Sequence, residues 1–170
     1  VEGLSFLDCG LPTTSDVPGL PAVAKGILNA LETREVDVVV AEAGDGIIGS
    51  YGVRSLLEDD EIRAATRCCV LCANDLVAAW GAQRLLEGEL GLKIGVMAGP
   101  ATDNEVGVRY VEEQLKIPAA NARIQGERLA DLVEAQTFAF GRDRDGVGRL
   151  LLLAHRQAEF AARERGRDVD

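Results

Sequence analysis

VDVVVAEAGDGIIGSYG, residues 36–52, is the stretch whose reading decides the fold. Val38-Val39-Val40-Ala41 is an uninterrupted apolar run, the pattern of a strand buried on both faces of a parallel sheet. The predicted strand covers Val36–Ala41 and stops at Glu42, after which Gly44, Gly46, Gly49 and Gly52 follow in quick succession. A carboxylate at the C-terminal end of a buried strand, next to a glycine loop, occupies the place where open α/β sheets take ligands. Glycines there let a ligand approach the backbone closely.

Working outward, strand and helix patterns alternate. Short apolar segments at Leu4–Cys9, Cys68–Ala73, Lys93–Ala98 and Ile117–Ala122 read as further strands. Leu20, Val23, Ala24, Ile27, Leu28 and Leu31 recur at helical spacing, so an amphipathic helix precedes the Val36 strand. Helical patterns follow at Val53–Ala65, loosened around Glu58-Asp59-Asp60, then after Asn74-Asp75, from Thr102 to Lys116, over Gly126–Gln136 and over Gly146–Arg163. Thr102 with Glu105 three positions on fits a capping box. The alternation predicts a three-layer α/β fold, residues 1–170 forming one domain around a mainly parallel sheet of about five strands with helices on both faces.

The net charge is −10, which speaks against a broad nucleic-acid or membrane-binding surface. No apolar run approaches the roughly 20 residues of a membrane span. Cys68, Cys69 and Cys72 share one predicted strand, which suits buried thiols in a reducing cytoplasm better than a disulfide framework or a metal site. His155 follows an apolar run and reads as structural. There is no G-x-S-x-G elbow for a serine nucleophile.

Polar and glycine residues gather after the predicted strands: Asp8, Thr13, Thr14 and Ser15 after the first, Glu42, Gly44, Asp45 and Gly46 after the second, Asn74 after the third, Thr102 and Asn104 after the fourth. In a parallel sheet these ends share one edge and line one cleft. Asp16, Asn74 and Thr102 also suit helix caps. Glu42 and Asp45 are the candidate catalytic and metal-binding residues, because a carboxylate at a buried strand end calls for a cation or hydrogen-bond donors. The others are candidate ligand-binding residues. Gly44-Asp45-Gly46-Ile47-Ile48-Gly49 also matches G-x-G-x-x-G after a strand, which keeps a nicotinamide-dinucleotide reading open.

The order of elements, with Asp8-Cys9-Gly10, a Thr-Thr-Ser loop and a strand running into Ala41-Glu42-Ala43-Gly44-Asp45-Gly46, resembles the interior of P-loop proteins of the dethiobiotin-synthetase and cobyrinate-amidation type over about Leu4–Ala98. The resemblance implies ATP and magnesium as cofactors, with Glu42 at the position that helps to hold the metal. The chain departs from that family in lacking G-x-x-x-x-G-K-[ST], whose amides and lysine cradle phosphates. Either the phosphate loop precedes Val1, this chain then being the later part of a longer protein, or the chain does not bind ATP. The expectation is a cytoplasmic small-molecule-binding domain with no nucleic-acid or membrane partner. A non-catalytic module that pairs its sheet edge or a helix face in a homo-oligomer is the alternative.

Overall fold

The computed structural model describes residues 3–11, 17–34, 36–138 and 149–155. A 3-10 turn at Phe6–Cys9 leads to helix α1 (Leu20–Glu32), strand β1 (Val38–Ala43), the short helices α2 (Val53–Glu58) and α3 (Asp60–Ala65), and strand β2 (Thr66–Cys72). Helix α4 (Leu76–Gln83) runs on as a π turn to Glu89 and is followed by strand β3 (Val96–Ala98). A 3-10 turn at Pro100–Thr102 then precedes helix α5 (Glu105–Tyr110), which runs on as a π turn to Leu115. Helix α6 (Gly126–Phe138) and strand β4 (Arg149–His155) complete the described elements. The strands form one parallel sheet in the order β1-β4-β2-β3. The expected mixture of helices with a parallel sheet is what the structure shows.

The sheet itself corrects several expectations. Leu4–Cys9 is no strand. Asp8 accepts hydrogen bonds from the Ser5 amide (2.7 Å) and hydroxyl (2.8 Å), and Gly10 ends the turn at φ +74°. Those local bonds compete with a sheet ladder and win, because nothing in this segment is buried to favour the strand. Ile117–Ala122 contributes only a parallel bridge, Met97 to Ala119, alongside β3. The largest correction is at Gly146–Arg163, predicted helical. Its described part, Arg149–His155, is β4, and the rest lies outside the described residues. A short, purely apolar run carries no period, so Leu150–Ala154 reads equally as helix or as a strand with neighbours on both sides. Its place between β1 and β2 is the position such a run suits best.

Two apolar clusters cover β2 and β3. Cys69, Leu71 and Met97 pack with Leu57, Leu86, Val111 and Ile117. Cys68, Val70, Val96 and Ala98 meet Leu129, Leu132 and Val133 of α6. Each large side chain so buried contributes about 1.5–3 kcal/mol. On β1 the same alternation leaves one side bare: Val38 and Val40 are 41% and 55% exposed, while Ala43 is buried. Among the described residues no helix of the membrane-spanning kind, long and apolar enough to cross a bilayer, is present.

Candidate functional site

A cleft of about 510 Å3 runs between α1 and β1. Its walls are the apolar stripe of α1, the buried ends of α2, and the consecutive residues 39–45 of β1 and its loop; Leu4, Ser5 and Phe6 close one side. Lys25 of α1 fixes the helix in place, its ammonium 3.1 Å from Asp59 and 3.3 Å from Glu61 at the start of α3. The Asp59 carboxylate beside it raises the Lys25 pKa. Asp59 is itself held below the usual carboxylate range, first by the Ile62 amide that it caps and also by Lys25.

Glu42 and Asp45 stand at the polar end of this cleft. β1 extends to Ala43, so Glu42 lies within the strand rather than after it, on the exposed side with Val38 and Val40. Neither carboxylate has a hydrogen-bond or ion-pair partner among the described residues. The Glu42 charge is nonetheless felt across the sheet: the Cys72 thiol is pushed up first by burial and then by Glu42. Gly44 lines the cleft beside them. Gly46 and Gly49 pack against the ring of Tyr51, and Gly49 adopts φ +119°, which only glycine takes without strain. The loop therefore folds on Tyr51, and helix begins only at Val53. A dinucleotide fingerprint opens its helix directly at the third glycine, and this loop does not.

The remaining candidates separate by place. Asp8 is engaged by Ser5, whose amide donation, ahead of its hydroxyl, holds the carboxyl below its ordinary range. Thr13, Thr14 and Ser15 lie outside the described residues. Asn74 precedes Asp75, which caps α4 by accepting from the Ala78 amide at 2.7 Å. The capping box predicted for Thr102 is not formed. Asn104 is the N-cap, accepting from the Gly107 amide at 2.9 Å. Thr102 is fully buried, its hydroxyl 3.0 Å from the Gly99 carbonyl and 2.9 Å from that of Ala120, so it ties two loops together and does not reach a ligand. The apolar cleft floor, with Ser5 and Phe6, is what sequence reasoning missed. Its one signal was the stripe on α1, an apolar face with no assigned partner.

Among the described residues no three carboxylate, histidine or cysteine side chains converge on a metal position. Cys68 and Cys69 are buried packing, and Cys72 is half-buried. Burial pushes Cys68 up to about 11 and Cys69 up to about 12, from an ordinary 9.0, while Cys9 is exposed. At about pH 8 iodoacetamide should therefore modify Cys9 first and reach Cys68 and Cys69 only on unfolding, as peptide mass mapping would read. A thiol raised in the fold keeps its stabilising effect below 9.0 and loses it as pH climbs toward the folded value. The urea midpoint should fall accordingly from pH 9.0 upward.

No protein-family model, no curated protein and no solved structure matches this chain.

Proposed function

We propose that this chain is a small-molecule-binding α/β domain whose ligand sits at the C-terminal end of β1, held by Glu42, Asp45 and the backbone of Gly44. The observation behind this reading is the pair of carboxylates, without partners among the described residues, at the end of a largely apolar cleft. Glu42 is exposed and Asp45 half-buried, so both are open to a cation or a ligand that enters the cleft. The sheet is taken as the middle of a three-layer arrangement, with helices on both sides.

Magnesium suits this donor set. Two carboxylate oxygens are what it commonly draws from protein, the other positions going to water and phosphate oxygens. When bound it would supply the positive charge that a phosphate needs. None of the described residues lining the cleft is cationic, so ATP, the nucleotide that the resemblance implies, enters this reading only together with magnesium. The residues themselves do simpler work: Glu42 and Asp45 orient the cation, and the glycine backbone permits close approach.

Thermal unfolding with magnesium and ATP, and with each alone, tests the reading. A ligand at 100 times its Kd stabilises by about 2.7 kcal/mol. Glu42→Ala should weaken binding about tenfold or more, and should leave the ligand-free protein within about 0.5 kcal/mol of its stability because the side chain is exposed. If Glu42→Ala leaves the ligand shift intact, the carboxylate has no part in binding.

A further inference from the structure

The cleft lies along the edge of a sheet, and this sets what fits inside it. Residues 39–45 line it without a gap, so residues of both alternations border it. β1 ends the sheet order, and among the described residues its backbone bonds only to β4. In a parallel ladder alternate residues turn both their N–H and C=O to one neighbour, so every second residue of β1 turns these groups into the cleft. Amides in an apolar cleft are costly until they are paired.

Across the gap, α1 is built for cover that it lacks. Leu20 is the one buried residue of this helix, and Ala24, Ile27, Leu28 and Leu31 on the same stripe are only half-buried. A strand residue in a packed sheet takes about 160 Å3, so a cleft of about 510 Å3 admits three or more of them.

We propose that β1 accepts an additional parallel strand, donated by a partner protein, in the space between β1 and α1. The donated segment is extended, with about three apolar residues filling the cleft and the rest running along the six residues of β1. Lysine or arginine follows at its C-terminal end. There it meets Glu42 and Asp45, carboxylates without partners among the described residues, in a chain with net charge −10. The inference rests on the sheet edge and shares Glu42 and Asp45 with the ligand reading above; the N-methylated peptide tests the strand pairing, and the nucleotide titration without peptide tests the ligand.

The test uses the full chain and a labelled peptide, acetyl-Thr-Val-Ile-Val-Val-Gly-Lys-Lys-amide. Binding is read by fluorescence anisotropy, and hydrogen exchange is followed at Val38–Ala43. The expected result is saturable binding with exchange at alternate β1 amides slowed about tenfold or more. N-methylation of alternate peptide amides, which blocks pairing on one side only, weakens binding about tenfold or more, and Ala24→Trp, which fills the gap from α1, does the same. Equal affinity for the N-methylated peptide, unchanged β1 exchange with peptide bound, or no binding at about 1 mM peptide overturns the proposal.

Discussion

Gly107→Ala is expected to cost about 4 kcal/mol of stability, a large share of the 5–15 kcal/mol that holds a domain of this kind together. A Cβ at this position would lie 1.9 Å from the carbonyl oxygen of Ala101 and 3.1 Å from its carbon. The clash is with backbone, so no side-chain rotation relieves it. Nor is that backbone free to move: the Ala101 amide donates to the Ala73 carbonyl at 2.9 Å, joining the loop after β3 to the loop after β2. The first turn of α5 is held from its own side by Asn104 on the Gly107 amide. Something must tear, and the loops at the C-terminal edge of the sheet tear with it. In thermal unfolding the expected fall is about 12 °C. Gly81→Ala is the matched control. It lies in α4 with nothing within 4 Å of the added carbon, and should gain about 0.5–1 kcal/mol from helix propensity. If the two substitutions prove alike, the close approach of α5 to the Pro100–Thr102 turn is not real.

Leu152→Pro is expected to be nearly as damaging, at about 3 kcal/mol or more. Leu152 is paired with Ala41 of β1 on one side and with Cys69 of β2 on the other. Proline removes an N–H from a strand that has ladders on both edges, and its ring crowds the neighbour. In hydrogen exchange of the unaltered protein, the amides of Leu150–Ala154 should be among the slowest, opening only with global unfolding. Exchange as fast as at the free edge of β1 would place the strand elsewhere.

These two positions mark where the sequence was legible and where it was not. Val38–Ala41 announced a strand because Glu42 and the glycines bounded it, and the Asp59 break between α2 and α3 was visible as a run of acids. Leu150–Ala154 announced only burial. Helix and strand both satisfy such a run, and the choice was made by partners more than a hundred residues away in β1, which no local pattern contains. Leu4–Cys9 failed for the opposite reason: local bonds from Ser5 to Asp8 closed a turn that apolar content alone did not foresee. At the site, Glu42 and Asp45 could be singled out by type and place, since a charge next to a buried strand stands out. Thr102 could not be sorted from a ligand-binding hydroxyl, because its partners, the carbonyls of Gly99 and Ala120, meet only after the chain has folded back. Gly107 carried no sequence signal at all, one glycine among nineteen.

The sheet order has a consequence for how this protein is made. β4, the last of the described strands, is inserted between β1 and β2, which are not neighbours of each other. While the chain emerges from the ribosome, β2 can gather β3, α4 and α6 around itself, but among the described strands β1 has none to join until Arg149–His155 has cleared the exit tunnel. Val38 and Val40 therefore wait unpaired through most of synthesis, which makes this a slow-closing topology of high contact order with an aggregation-prone interval. A chain halted before residue 149 should be retained by chaperones through that strand, and release should coincide with translation of β4.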